Sequence, residues 1–345
     1  MGLQTKTTGD VYAEIAGRDI TDQVCIVSPC FNERDSIPLF YEAVANAVRT
    51  LSGFKFSLLF VDDGSTDGTL DVLNSIAERD ERVLVYALSR NFGHQIAVSA
   101  GVEVAEGDAI IVMDSDMQHP PELIPQLIAE WKSGCDVVST IRETTERITF
   151  SKRCSAALFY WLINLSSKTK IVPNAADFFL LSSRAHEAIK SMPERHRFIR
   201  GMVSWIGFDR GFVRFQAPAR IAGESKYTLS KMVGLAMDAA FSFSTAPVKL
   251  AGRVGVITVS AGFLYLFYVI GRQILIGDLV TGWASLMCVL LILGGGQLLF
   301  IGIIGEYLAR IFDEGKGRPL YFFKQSPDQQ PKRFLRLNGE TVIQP

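Results

Sequence analysis

The chain has 345 residues, more than one typical domain needs and enough for a sizeable core. A formal net charge of −1 excludes the broad basic field that attracts nucleic acid, so no nucleic-acid partner is expected. Mean hydropathy is positive, unusual for a soluble enzyme, and the apolar excess lies after about residue 250. Cys25, Cys30, Cys135, Cys154 and Cys288 show no paired spacing, which fits free thiols in a reducing compartment. Asp10, Glu14 and Asp19 interrupt the N-terminus where a secretory signal would be apolar, so the first 240 residues are expected in the cytoplasm.

From Val24 onward, short β-rich runs alternate with amphipathic ones. Val24–Val27, Ser57–Val61, Val83–Ala87, Ala109–Met113 and Asp136–Thr140 read as strands. Ser36–Leu51, Thr69–Glu78, Gln95–Ala105 and Glu122–Ser133 read as helices. This alternation predicts an α/β fold with a mostly parallel sheet and helices on both faces. Sheets of this kind bind ligands at the carboxyl ends of their strands. Three of those ends are polar: Ser28-Pro-Cys-Phe-Asn-Glu33, Asp62-Asp-Gly-Ser-Thr-Asp-Gly68 and Asp114-Ser-Asp-Met-Gln-His-Pro120. Any one of them fits an ordinary turn; their joint placement points to a site. Asp114 and Asp116, with Gln118 two residues on, supply the hard oxygen ligands that Mg²⁺ or Mn²⁺ prefer and commonly share with substrate phosphates. His119 is a possible ligand by composition, but a solvated loop histidine before proline fits it better.

Leu229, Met232, Val233, Ala236, Ala240 and Phe243 then recur at helical spacing. A helix lying in a membrane interface and a helix packed on the core both satisfy that pattern. Two uncharged runs follow, one between Arg253 and Arg272 and one between Asp278 and Glu306. Each meets the roughly 20 apolar residues of a bilayer span once Arg272 snorkels, although a buried helical hairpin has the same composition. Lys249 and Arg253 precede the first run and Arg310, Lys316 and Arg318 follow the second, against Arg272 and Asp278 in the turn. The positive-inside rule then puts both flanking segments in the cytoplasm. Glycines 294 to 296, with Gly302 and Gly305, allow close helix approach and a homo-oligomer.

Seven stretches, in order, resemble the family 2 glycosyltransferases of GT-A fold, and within them the polyprenyl-phosphate glycosyltransferases. They are Ser28–Arg34, Val61–Asp67, Ser89–Gln95, Asp114–Pro120, Asp177–Leu180, Arg200–Gly207 and Arg220–Tyr227, followed by the two apolar runs. The resemblance is to dolichol-phosphate mannose synthase and, more closely, to bacterial undecaprenyl-phosphate sugar transferases. It covers residues 22 to 318 and implies a GT-A catalytic domain over residues 1–227. Interfacial helices over 228–248, a hairpin over 249–311 (spans near 254–276 and 283–305) and a cytoplasmic tail over 312–345 would follow.

The activity implied is transfer of a hexose from a nucleotide-sugar to a polyprenyl phosphate at a bacterial inner membrane, inverting and dependent on Mg²⁺ or Mn²⁺, with UDP-glucose the favoured donor. The resemblance implies that Pro29, Asn32, Glu33 and Asp63 line the nucleotide pocket and that Asp114, Asp116 and Gln118 hold the metal. It puts Asp177 at the acceptor, as base or orienting group, and Arg200, Arg220, Ser225 and Lys226 at the phosphates. Phe179 stands where relatives often carry a small residue, so the acceptor-side pocket is expected to differ in shape. Two other readings compete. A processive polysaccharide synthase would need a Gln-x-x-Arg-Trp motif and more spans, and here Arg200 and Trp205 stand too far apart. A non-catalytic nucleotide-sugar binder would have lost the metal ligands or the basic residues, and both sets are present.

Overall fold

The strand Asp22–Cys30 (β1) buries its last seven residues in succession, as a strand covered on both faces does. The computed structural model describes residues 22–143, 175–195, 197–216, 246–276 and 282–324. Six more strands join β1: Phe54–Asp62 (β2), Val83–Ala87 (β3), Ala109–Val112 (β4), Val137–Glu143 (β5), Ala175–Ser182 (β6) and Arg210–Gln216 (β7). Their order across the sheet is β3-β2-β1-β4-β6-β5-β7. Strands β1 to β4 run parallel. β6 is antiparallel to both β4 and β5, and β5 is parallel to β7, so among the described strands β6 alone is reversed. The chain moves outward from β1 through β2 and β3, then returns to build on its other side, which makes the β1/β4 boundary the switch point where such sheets take ligands.

Local sequence explains the helices that cover this sheet. Ile37–Arg49 (α1) has Pro38 in its first turn, where a missing N–H costs nothing, and buries Ile37, Phe40, Val44 and Val48 at spacings of three and four. Phe40 meets Phe60 of β2 edge-on, with ring centroids 6.0 Å apart. Thr69–Arg79 (α2), His94–Val104 (α3) and Ile124–Lys132 (α4) follow β2, β3 and β4 in turn. Ser183–Lys190 (α5) is capped by Ser182, whose Oγ accepts the Ala185 N–H at 3.3 Å. Ile199–Trp205 (α6) precedes β7.

The chain divides into two units. Of the described residues, the sheet unit takes in 319–324, and the other unit holds 246–276 and 282–318. Ala246–Ile276 (α7) and Trp283–Gly315 (α8) are the long helices of the second unit, 31 and 33 residues. Among the described residues, Leu293–Gly315 is the stretch long and apolar enough to cross a membrane; Ala251–Tyr265 is a shorter apolar one.

The first four expected strands and the helices between them fall where the sequence pattern puts them, with β1 longer than expected at both ends. The elements between Ala175 and Gln216 carried no such pattern. α8 runs ten residues beyond the expected end of the second span, 315 against 305. The expected interfacial helix falls almost wholly outside the described residues. The segment after α8, expected as part of a cytoplasmic tail, comes back to the edge of β3: Leu88 bridges Phe323 in antiparallel fashion. There the Ser89 N–H donates to Phe322 O at 2.8 Å and the Lys324 N–H to Ala87 O at 2.7 Å.

Gly101 sets the approach of α3 to the sheet. A Cβ there would lie 2.3 Å from Val27 Cγ1 and 3.0 Å from Val61 Cγ2. Gly101→Ala is therefore expected to overpack this contact at a cost of about 1–3 kcal/mol, seen as a lower unfolding midpoint. An unchanged midpoint would mean that α3 rides higher on β1 and β2.

Candidate active site

Cys30 and Asp62 end adjacent strands in register, and the loops beyond them are bonded to each other. Asn32 adopts a left-handed conformation (φ 55°), which its short amide side chain tolerates. Its backbone N–H donates to Ser65 Oγ at 2.9 Å, and its Oδ1 accepts the Thr66 N–H at 2.9 Å. The Glu33 N–H donates to Thr69 Oγ1 at 2.9 Å, and the Glu33 carboxylate accepts Ser36 Oγ–H at 2.6 Å. Asp63 is buried, and its two oxygens accept the backbone N–H groups of Phe92 (2.7 Å) and Gly93 (2.9 Å). Burial raises its carboxyl pKa against the pull of those amides. Gly64 (φ +70°) lies so close to the next loop that a Cβ would sit 2.5 Å from Arg90 C. Three loops thus form one wall, and the backbone of residues 90–93 is pinned between them.

The other wall follows from the reversal of β6. β4 and β6 pair Ala109 with Ser182 through Val112 with Phe179. Carried two residues further, that register sets Asp114 opposite Asp177. His94, at the start of α3, reaches both: its Nε2 lies 3.5 Å from Asp114 Oδ1 and 3.8 Å from Asp177 Oδ2. Arg200 of α6 grips Asp177 with two bonds, Nε to Oδ1 at 2.5 Å and Nη2 to Oδ2 at 2.7 Å. α6 is itself tied to α3, because the Ile199 N–H donates to Gln95 Oε1 at 3.0 Å.

The electrostatics separate the two carboxyls. Burial works against charge on Asp177, but Arg200 and His94 hold its pKa well below the usual carboxylate range. Asp114 has no such fork; burial pushes it up to about 7 against the pull of His94, and Asp177 and Asp116 add to the rise. Burial also opposes charge on His94, yet Asp177 and Asp114 outweigh it and bring its pKa up to about 9.

The Asp114–Gln118 loop is held from inside. Ser115 Oγ–H donates to Pro29 O at 3.1 Å. Asp116 accepts the Gln118 N–H at 3.0 Å and its Nε2–H at 2.6 Å, with Met117 between them at φ 62°. His119 differs from expectation: it is 7 % exposed, its ring stacks on Phe178, and its Nδ1 accepts the Asp114 N–H at 3.1 Å. Burial lowers its pKa to about 4, so it stays neutral and keeps that lone pair available. Its work is to orient Asp114.

Asp114 Oδ1 is buried and has no hydrogen-bond donor among the described residues. A hard divalent cation suits such an oxygen, with Asp116 and the Gln118 carbonyl oxygen close by in the same loop. Among the described residues, no group of three or more His, Cys, Asp or Glu is arranged to hold a metal. A cation here would therefore take its remaining ligands from diphosphate and water, as Mg²⁺ does with one or two protein carboxylates.

Of the expected site residues, Pro29, Asn32, Glu33 and Asp63 lie on the first wall. Asp114, Asp116, Gln118, Asp177 and Arg200 lie on the second, with Arg200 on Asp177. Arg220, Ser225 and Lys226 fall outside the described residues. Two site residues carried no expectation of their own. His94 stood inside a quoted motif, at a loop-to-helix junction beyond a strand end, and that position was its signal. Gln95 had none.

The profile of Glycosyl transferase family 2 matches residues 25–189, and that of the GtrB C-terminal hairpin matches residues 246–311. The chain is 40% identical to an uncharacterized glycosyltransferase of Bacillus subtilis, over 91% of this chain and 97% of that one. It is 39% identical to a prophage bactoprenol glucosyl transferase homolog of Escherichia coli, over 88% and 99%. A prophage-derived bactoprenol glucosyl transferase of Shigella flexneri is 38% identical, over 90% and 100%. The chain belongs to glycosyltransferase family 2, in the branch that joins a GT-A catalytic domain to a C-terminal hairpin.

The bond from the Asp114 N–H to His119 is open to a direct check. His119→Phe keeps a ring on Phe178 but leaves that amide unsatisfied, an expected loss of about 1–3 kcal/mol. Denaturant titration reads it; an unshifted midpoint would show that the bond does not hold the loop.

Proposed function

We propose that this glycosyltransferase moves a glucosyl group from UDP-glucose to undecaprenyl phosphate, with inversion and with a divalent cation at Asp114 and Asp116. The observation that carries the reading is the buried Asp114 Oδ1 at the switch point, which among the described residues accepts no hydrogen bond and faces only His94 at ion-pair distance, opposite a charged Asp177–Arg200 pair. Relatives named bactoprenol glucosyl transferase, alike along nearly the whole chain, support the acceptor and the sugar.

In this mechanism an oxygen of the lipid phosphate bonds to the anomeric carbon as the bond from that carbon to the donor diphosphate breaks. The nucleoside diphosphate leaves with the electron pair. A bound cation would supply charge neutralisation to the departing diphosphate. Pro29, Asn32, Glu33 and Asp63 would shape the nucleotide side of the cleft. The acceptor phosphate is already ionised near neutral pH and needs no base. Asp177, held strongly acidic by Arg200, is a poor proton acceptor and acts as an orienting group. The donor phosphates are left to Arg220, Ser225 and Lys226.

The membrane part of the proposal is a two-span hairpin with the catalytic unit and the chain beyond α8 on the cytoplasmic side. Leu264, Ile274, Leu275 and Leu298 are each more than 70% exposed, which lipid tolerates and water does not. Residues 319–324 belong to the catalytic unit, so the chain leaves that unit and comes back to it. An even number of crossings satisfies this, in agreement with the basic flanks. Gly294, Gly295, Gly296, Gly302 and Gly305 have no atom within 4 Å of a built Cβ, an open face suited to self-association.

Purified enzyme with undecaprenyl phosphate and labelled UDP-glucose should give a lipid-extractable product. Chelation should abolish it, and restoring Mg²⁺ or Mn²⁺ singly identifies the working metal. Asp116→Ala is expected to cut turnover by about 10³-fold while the protein stays folded; full transfer by that variant would remove the metal assignment. Asp177→Asn should lower turnover about 100-fold through misorientation and leave UDP affinity unchanged. A loss confined to UDP binding would instead put Asp177 on the donor side.

A further inference from the structure

The segment that follows α8 bears on the donor side of the site, although nothing in its composition suggests a role. β3 is an edge strand, and an exposed edge offers unpaired backbone groups to whatever strand arrives. Here the arriving strand is the chain's own, paired through the Ser89–Phe322 and Lys324–Ala87 bonds on either side of the Leu88–Phe323 bridge. The Phe323 ring packs against Tyr86 (centroids 5.3 Å apart) and against Tyr321 (5.1 Å). Tyr321 then reaches across, and its hydroxyl donates to Glu103 Oε2 at 2.7 Å.

The positions of these anchors matter more than their number. Ser89 opens the loop that leads into α3, and Glu103 lies near the far end of α3. The stretch between them carries the Phe92 and Gly93 amides that hold Asp63, the His94 ring between Asp114 and Asp177, and the Gln95 side-chain Oε1 that holds α6. On its inner side the loop is backed by Gly64. On its outer side, Phe322 O holds the Ser89 N–H. The post-hairpin segment thus fastens both ends of a stretch that touches both walls of the site.

We propose that Tyr321–Lys324 is a positioning element of the donor site, which keeps residues 89–93 in the conformation that binds the nucleotide. The proposal rests on the reading of the first wall as the nucleotide pocket. It implies linkage in both directions: docking of the segment favours donor binding, and a bound nucleotide favours docking.

The test uses the full chain in detergent, with UDP as the probe. Phe323→Ala removes the ring contacts and Phe323→Tyr restores a ring. The alanine variant is expected to weaken UDP binding by about fivefold or more and to raise donor KM in step, with lipid KM unchanged and the tyrosine variant near wild type. A purely structural role would lower the unfolding midpoint and the active fraction without moving donor KM in the folded enzyme, and that result overturns the proposal. If Phe323→Ala fails to fold, Tyr321→Phe, which loses only the hydroxyl, is read for the same split. In the wild type, UDP should slow amide exchange in residues 88–93 and in 322–324 together; protection of the first group alone also overturns it. Asp63→Asn separates the two layers of the argument. Weaker UDP binding by Asp63→Asn but not by the segment variants removes this proposal and leaves the nucleotide pocket standing. Unchanged binding in all of them removes the pocket reading itself.

Discussion

Two carboxyl groups set opposite each other across adjacent strands cannot both carry charge unless a cation attends each of them. Asp114 and Asp177 are in that position because β6 runs against its neighbours, which brings the start of one strand beside the end of another. Arg200 decides which of the pair is ionised. Its planar fork fits the Asp177 carboxylate, holds it charged and leaves Asp114 with the shared His94 and, among the described residues, no hydrogen bond to its Oδ1. The polar architecture around them follows: His94 mediates between the two groups, His119 orients one of them through its backbone, and Gln95 fixes the helix that supplies the arginine.

The arrangement assigns unlike tasks to chemically identical groups. A carboxyl that burial has pushed toward neutrality gains most from a divalent cation, because the cation restores the charge that the protein interior withholds. A carboxylate already satisfied by an arginine has little affinity for a proton and none to spare for base catalysis. That division suits an acceptor which arrives ionised, since the reaction then needs placement and charge neutralisation more than proton transfer.

The half of the fold from β1 to α4 was legible because strands such as β1 are apolar runs that stop abruptly at polar residues, and α1 and α4 repeat buried positions at three and four. β6 was not legible. Ala175–Ser182 gives no sign of its direction, and an antiparallel insertion into a parallel sheet leaves no trace in periodicity. Asp177 was found through its motif, while its pairing with Arg200 depends on a helix only seven residues long, too short to show a repeat. His119 was misjudged for a related reason: a histidine before proline looks like loop, and only the ring of Phe178 beneath it and the Asp114 amide beside it make it interior. Four residues after a long helix carry no pattern at all, so the pairing at the edge of β3 could be seen only in three dimensions.

That pairing also sets an order of events during synthesis. Tyr321–Lys324 are translated after every residue of α7 and α8, so β3 remains an open edge while both long helices are still being made. The sheet is closed on that side only when the ribosome has passed the hairpin and the emerging chain folds back. An enzyme built in this sequence finishes its catalytic unit last, after the helices that would anchor it have already left the ribosome.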